Sequence, residues 1–421
     1  MGYQKVKGTQ DFYGENSKKM KYIENKVRNI ITNYGFDEVV TPIFENTEVF
    51  VRSAGDTSDI VTKEMYTFLD KGERSITLRP EGTAAIVRCF VENKLHSTPG
   101  IKKYYYFGPM FRYERPQAGR YREFHQFGVE VFGDSSPFLD AEVILSAYKV
   151  FVNLGIKNIK LKINTIGDFK SREQYAVALR EYFGSHLDEL CSDCKKRYEK
   201  NPMRILDCKV DAKNEILLNA PKIQDFLTDE SKEYFNSVLK SLENLGIPYV
   251  VDTNLVRGLD YYTDTVFEFI IESNNDLNGL AICAGGRYGE LIKSFGGPDM
   301  QGIGYAFGVE RVMGIMTEED LFPKLNKDVD ALIISLDDMS KIEALKVADL
   351  LRNEDLYVEM DYKNNSFKPQ FKLADRISPK YIIIIGEEER NTGIYTLKNV
   401  QNRTEVKLEV NEIIKTIKEN K

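Results

Sequence analysis

Residues 111–127 read FRYERPQAGRYREFHQF. Strand-like sequence runs into this segment over 103–114 and out of it over 122–132. Pro116 and Gly119 mark the turn between them, so the pattern predicts a long antiparallel hairpin. Four arginines (Arg112, Arg115, Arg120, Arg122) fall within it, with Glu114 and Glu123 between. Residues at even separation share a face of a strand, which pairs Arg112 with Glu114 before the turn and Phe124 with Gln126 after it. A guanidinium fork matches phosphate oxygens and an aromatic ring offers its face to a base, so this floor suits a nucleotide. Taken singly, Arg115, Arg120 and Arg122 read equally well as a solvated hairpin tip. The whole string does not, because a bland surface has no need of that composition.

Around the hairpin the chain alternates helix and strand signals. Met20, Ile23, Val27, Ile30, Ile31 and Tyr34 recur at helical spacing until Gly35. DEVVTPIFE (37–45) reads as a strand interrupted by Pro42. A strand at 75–79 and an amphipathic helix at 138–154 complete the first part. From about 167 to 232 the texture becomes charged and helical and holds three of the five cysteines. Strand signals then resume at 249–253, 265–272, 280–284 and 302–307, so this stretch reads as an insertion, and a helix is expected from Val309. Past LFPKLNKD (321–328) the pattern becomes βαβαβ: DALIISL, an amphipathic run at 339–352, LYVEM, a helix around Phe371, then YIIIIG. That predicts a partly parallel sheet in a separate C-terminal α/β domain beginning near residue 327.

Composition excludes several classes. The chain has 421 residues, enough for two or three domains that bury their own cores. Its 58 basic and 65 acidic residues leave a net charge of −7, which excludes a wholly basic nucleic-acid binder. The longest purely aliphatic run, 382–385, is far below the roughly 20 residues of a membrane span. The opening MGYQKVKGTQDF has no signal-like apolar stretch, and an odd number of cysteines fits a reducing compartment. The expectation is a soluble, cytoplasmic protein.

Three further strings carry chemistry. LVRGLDYYTDTVFE (255–268) sets Arg257 beside a glycine and ahead of Tyr261 and Tyr262. ICAGGRYGELI (282–292) and QGIGYAFGVERVM (301–313) supply a double glycine, expected to bring backbone against a ligand, and Glu310–Arg311 at a strand-to-helix junction. Neither a dinucleotide fingerprint nor a Walker lysine loop is present, so ATP would bind without a P-loop. LRPEGT (78–83) reads as a helix start with Pro80, and Glu81 in the first turn is fully explained by the helix dipole. Cys191, Cys194 and Cys208 form C-x2-C…C with His186 nearby. A second C-x2-C is missing, so buried thiols and a zinc site both stay open and no metal ligand is assigned.

TPIFE, FRYERPQAGRYREFHQ, LVRGLDYYTDTVFE, AGGRYG and GIGYAFGVERV, in this order, resemble the motifs of histidyl-tRNA synthetases, from Lys7 through nearly the whole chain. The resemblance implies an α+β fold. A class II catalytic domain with an antiparallel sheet would span 1–326, with a helical insertion at about 168–232, and an anticodon-binding α/β domain would span 327–421. It implies ATP-dependent ligation of L-histidine to tRNA(His) through histidyl-adenylate, Mg2+ with the ATP, and a homodimer with Pro42 at its interface. In the same terms Arg112 and Arg257 face the α-phosphate and act in catalysis. Glu114 lies near the adenine amino group, Phe124 stacks on adenine, and Arg311 reaches the γ-phosphate side. Glu81, Thr83 and Gln126 grip the backbone groups of histidine, while Glu130, Tyr261 and Tyr262 line the imidazole pocket. The competing resemblance is a synthetase-like regulatory subunit of ATP phosphoribosyltransferase. That group lacks the anticodon domain and the Arg-Gly-Leu-Asp string, both present here. In the C-terminal part, 15 basic stand against 18 acidic residues from 328 onward. Lys363, Lys368, Lys372, Arg376 and Lys380 nevertheless form a local basic strip, which fits a tRNA backbone and equally a solvated helix face.

Overall fold

The expected hairpin forms. Lys102–Phe111 pairs antiparallel with Glu123–Phe132, Tyr105 opposite Val129 and Phe111 opposite Glu123. The structure is a computed structural model that describes residues 2–55, 58–115, 119–208, 210–211, 213–258, 261–272, 278–363 and 367–420. Pro116 of the turn and Asp260 of the Arg-Gly-Leu-Asp string lie outside the described residues.

The hairpin belongs to an eight-stranded sheet. Gly302–Gly308 pairs with Glu123–Phe132, Ala281–Tyr288 pairs with Gly302–Gly308, and Tyr262–Ile271 and Ile159–Thr165 follow, all antiparallel. Only the two edges are parallel: Asp37–Glu38 beside Lys102–Phe111, and Tyr249–Val251 beside Ile159–Thr165. Strand alternation divides the work between the two faces. Phe127, Val129 and Val131, with Ile303, Tyr305 and Phe307, enter the main core beneath helices Gly14–Thr32, Pro137–Asn153 and Val309–Glu318. The residues between them, Phe124, Gln126 and Glu130 with Gly304, Ala306 and Gly308, line a cavity on the other face. A smaller antiparallel sheet joins Phe44–Asn46, Ser75–Leu78 and Tyr66–Leu69; the sequence reading had no strand at 66–69.

The 167–232 stretch forms helices Phe169–Gly184 and Ser192–Lys200 and a 3-10 turn Pro202–Asp207, around a core of its own with Tyr175, Leu179, Phe183, Cys194 and Ile205. These residues belong to one compact unit, Met1–Pro323.

The second unit, Lys324–Lys421, carries the βαβαβ pattern. Val358–Met360, Ala331–Ser335 and Tyr381–Ile385 are parallel neighbours, and Ile394–Asn399 and Glu405–Glu409 extend the sheet antiparallel. Leu332, Ile334 and Ile382 face helix Phe367–Ile377, and Ile333 and Ile383 face the opposite core, so the apolar runs reflect burial on both sides. Among the described residues no helix is long and apolar enough to cross a membrane.

Candidate active site

The cavity over the sheet has a volume of about 300 Å3, within the range of small-ligand sites. All eleven predicted site residues line it: Glu81, Thr83, Arg112, Glu114, Phe124, Gln126, Glu130, Arg257, Tyr261, Tyr262 and Arg311. Four distant stretches of chain therefore meet here. Phe124 and Gln126 do so by strand alternation, whereas Arg112 and Glu114 lie past the end of their strand at Phe111, which is shorter than the expected 103–114.

One end is cationic. Arg112 is held by its Nε, which donates to the Pro80 carbonyl at 2.8 Å, and its guanidinium lies 5.4 Å from the centre of the Phe124 ring. Arg311 donates to the Ala281 carbonyl. Burial, then the like charge of Arg120 and Arg112, push the Arg311 guanidinium below its ordinary range against the pull of Glu114. Desolvated cations that repel one another across a cavity are stabilised by an anion placed between them. Of the four hairpin arginines, Arg112 and Arg120 reach this space. Arg122 is engaged elsewhere, its guanidinium 4.0 Å from the Tyr113 ring centre and its backbone N–H on the Gly8 carbonyl, and Arg115 is exposed. For those two the structural reading holds.

The other end holds buried carboxyls. Glu130 is 1% exposed, and its two oxygens accept from Thr83 Oγ1 and Tyr288 OH, each at 2.6 Å. Burial pushes its carboxyl up to about 8, against those two hydrogen bonds. Close approach to the neighbouring strand is possible because Gly304 has no side chain: a Cβ there would fall 2.2 Å from Glu130 Oε2. Glu81 is buried with Oε2 2.6 Å from the Thr83 N–H and Oε1 3.0 Å from the Ala84 N–H. Burial raises this carboxyl too. Helix Thr83–Glu92 begins two residues after Glu81, so Pro80 and Glu81 lie ahead of the helix rather than in its first turn. A carboxylate that takes two orphan N–H groups from outside the helix still satisfies the dipole, and its position turns it toward the cavity.

Arg257 donates to Glu268 and lies 5.7 Å from the Tyr262 ring centre, while Tyr261 and Tyr262 sit 4.6 Å apart, centre to centre. Among the described residues Glu114 Oε2, Gln126 Oε1 and Arg257 Nε are buried without a hydrogen-bond partner, which is a cost unless a ligand supplies the missing groups.

The sequence reading missed Tyr288 and Tyr106 in the cavity wall; the AGGRYG string contained Tyr288 without marking it off from a core ring. The double glycine, expected to bring backbone against a ligand, does not line the cavity. Cβ atoms at Gly285 and Gly286 would meet the Gly304 and Thr265 carbonyls and the Phe267 and Tyr262 rings, so both glycines admit neighbouring strands and rings. Arg287 of the same string is fully buried and pairs with Asp140, anchoring the strand to helix Pro137–Asn153. Glu310 accepts from the His125 N–H at 2.8 and 2.9 Å, joining the hairpin to the Arg311 helix.

An antiparallel sheet flanked by helices, with an arginine-lined cavity built without a P-loop, is the architecture of class II aminoacyl-tRNA synthetases. Comparison with known proteins narrows this. The family described as histidyl-tRNA synthetase matches residues 8–312, and the anticodon binding domain family matches residues 330–420. A histidine–tRNA ligase of Pediococcus pentosaceus is 47% identical over 416 residues, covering 98% of each chain. One from Staphylococcus aureus is 45% identical over 414 residues, covering 98% of this chain and 99% of the relative. The crystal structure of apo S. aureus histidyl-tRNA synthetase superposes with a TM-score of 0.85 at 40% identity, over 99% of this chain and 100% of that one. The chain belongs to the histidyl-tRNA synthetase family.

Proposed function

We propose that the chain ligates L-histidine to tRNA(His) in two steps at this cavity. The observation that carries the reading is one cavity with a cluster of arginines at one end, the desolvated Arg311 among them, and the buried Glu130 at the other.

Glu130, with Tyr261 and Tyr262 beside it, reads the imidazole. As a carboxylate it accepts a ring N–H, and as an acid it donates to the other ring nitrogen. A pocket built on such pairing rejects isosteres that lack the group. Glu81, Thr83 and Gln126 hold the amino acid's backbone groups. Phe124 stacks on adenine with Glu114 near its amino group, and Arg311 takes the γ-phosphate side. The histidine carboxylate attacks the α-phosphorus: a C–O–P bond forms, the bond to the bridging β-phosphate oxygen breaks, and diphosphate leaves. Arg112 and Arg257 stabilise the charge that grows on the α-phosphoryl oxygens and align the attack. The nucleophile is already ionised, so no protein base is required. A terminal ribose hydroxyl of the tRNA then attacks the acyl carbon and AMP departs.

Carboxylates that line the cavity, Glu268 and Glu310 among them, offer the hard oxygen donors that suit Mg2+ carried on ATP, an ion that takes one or two carboxylates plus phosphates. When bound it neutralises phosphate charge. Residues 1–326 are taken as the catalytic domain with the insertion at about 168–232, and 327–421 as the anticodon-binding domain. In the latter Lys368, Lys372 and Arg376 are exposed at i, i+4, i+8 of helix Phe367–Ile377, one face turned to tRNA phosphate. Val40, Ile43 and Phe44, next to Pro42 in the chain, are exposed apolar side chains, which supports a homodimer through this segment. The absence of a membrane-spanning helix among the described residues is compatible with work in the cytoplasm.

Histidine-dependent ATP–diphosphate exchange and tRNA(His) charging test this reading. The regulatory-subunit alternative expects neither. It is not favoured, because relatives near 45% identity over nearly the whole chain are histidine–tRNA ligases. The likeness to an ATP phosphoribosyltransferase regulatory subunit/histidyl-tRNA synthetase of Bacillus halodurans, at 22% identity, concerns fold alone.

A further inference from the structure

Away from the cavity, the insertion gathers four side chains that the activity does not use. Sequence spacing left Cys191, Cys194 and Cys208 one ligand short. The structure brings Asp211 to them, and all four donor atoms lie within 4.8 Å of one another. Asp211 stands to Cys208 as Cys194 stands to Cys191, so the chain reads C-x2-C and then C-x2-D. The two halves are built alike. The Asp211 N–H donates to Cys208 Sγ at 3.4 Å, and the Cys194 N–H is directed to the Cys191 sulfur. His186, the candidate from sequence, faces Glu189 instead.

We propose that Cys191, Cys194, Cys208 and Asp211 form a closed structural zinc site. Cys191 Sγ and Cys208 Sγ are 3.6 Å apart, and Cys208 Sγ lies 3.6 Å from Asp211 Oδ2. A tetrahedron with Zn–S of about 2.3 Å and Zn–O of about 2.0 Å has S···S edges of about 3.8 Å and S···O edges of about 3.5 Å, so these two edges already match zinc and the others, all within 4.8 Å, need close by at most about 1 Å. Three sulfurs exclude magnesium and calcium, which take oxygen donors. An iron–sulfur cluster would need its ligands spread around several atoms, and these donors enclose room for one. The cysteines remain free thiols rather than disulfides, as a metal requires.

The site holds together both ends of a segment that matters elsewhere. Between the two ligand pairs runs Pro202–Asp207, and the nearest atoms to a Cβ built at Gly258 are Asp207 Oδ2 at 3.7 Å and Arg204 Nη2 at 4.0 Å. Asp207 also acts electrostatically on Arg257. Zinc thus secures the wall behind Arg257. This consequence rests on the role proposed for Arg257; the presence of zinc does not.

The test is metal analysis of the full chain, purified without a polyhistidine tag from zinc-supplied cells, with thiol titration and an X-ray absorption spectrum at the zinc edge. The account expects about one zinc per chain in a sulfur-dominated shell, released as thiols are titrated with a mercurial. C191S and C208S should fall below about one fifth of that content, and D211C should retain the full complement and resist a chelator longer than the parent. If the serine variants fail to fold, the parent and D211C decide the matter alone. Metal-free protein with five titratable thiols, a Cys191–Cys208 disulfide in the purified chain, or iron in place of zinc each overturns the proposal. Exchange kcat that falls on zinc removal and returns with added zinc supports the coupling to Arg257. Zinc present but without effect on kcat removes that coupling and leaves the histidine-activating role of the cavity untouched.

Discussion

Replacing Glu130 by Gln probes the imidazole pocket with almost no change of shape. Both carboxyl oxygens accept hydroxyl hydrogen bonds at 2.6 Å in a fully buried setting. An amide offers one acceptor and a surplus of donors, so either Thr83 or Tyr288 must turn away, and the imidazole loses a partner able to carry charge. Leaving a buried donor or acceptor unsatisfied costs about 1–3 kcal/mol, so kcat/KM for histidine in diphosphate exchange should fall about five- to hundredfold while the KM for ATP holds. Stability supplies a second readout. The carboxyl sits at about 8 in the fold against an ordinary 4.5, so the folded state keeps a proton that the unfolded chain has released between those values. Its contribution is fully present below pH 4.5 and is lost as pH rises through 8, by up to about 5 kcal/mol. Glu130→Gln should therefore flatten the decline in Tm between pH 5 and 8.5, with a residual slope from Glu81, whose carboxyl is raised in the same sense. Exchange within twofold of the parent together with an unchanged Tm slope would refute the assignment of Glu130 to the imidazole.

Three other outcomes follow from the geometry. Gly304→Ala forces a Cβ to 2.3 Å from the Val129 carbonyl and 2.2 Å from Glu130 Oε2, so the KM for histidine should rise at least about tenfold with about 1–3 kcal/mol lost in urea unfolding. Arg287→Ala strands Asp140 in a fully buried position and should cost about 3–5 kcal/mol, part of which Asp140→Asn restores; equal urea midpoints would contradict the anchor. Lys372→Glu should weaken tRNA(His) binding and lower the slope of log K against log salt by about 1, leaving histidine-dependent exchange intact.

Much of the site was legible because strand alternation is a strong constraint. Once 122–132 was read as a strand, the shared face of Phe124 with Gln126 followed, and the structure puts both in the cavity. Arg112 and Glu114 reach it too, but the strand expected to run to 114 ends at Phe111 and the Glu114 N–H turns back to the Arg112 carbonyl, so alternation does not explain that pair. What alternation does not carry is contact across strands. Tyr288 reaches Glu130 from a strand more than 150 residues later, and nothing local in AGGRYG distinguishes that tyrosine from a core ring. The double glycine was misread for the same reason: the need for glycine came from Phe267 and Tyr262 on the adjacent strand, invisible until the register was known. Glu81 shows a limit of cap reasoning. Pro80 signalled a helix start correctly to within three residues, yet only coordinates reveal a carboxylate that caps the helix from outside and faces the cavity. The final hairpin escaped notice because Glu405–Glu409 is short and mostly exposed, whereas helix Val410–Glu419 was legible in Val410, Ile413, Ile414 and Ile417 at helical spacing and was overlooked.

The central claim is that Arg112 and Arg257, carried by distant stretches of chain, act together on one α-phosphoryl group. Histidine-dependent ATP–diphosphate exchange by Arg257→Ala, in protein shown by circular dichroism and Tm to be folded, tests it most directly. Loss of a donor aimed at developing charge costs about 2.7–4 kcal/mol, so kcat should drop about a hundred- to a thousandfold with the KM for ATP changed far less. A kcat equal to that of the parent would show that the charge is stabilised without Arg257 and would contradict the account.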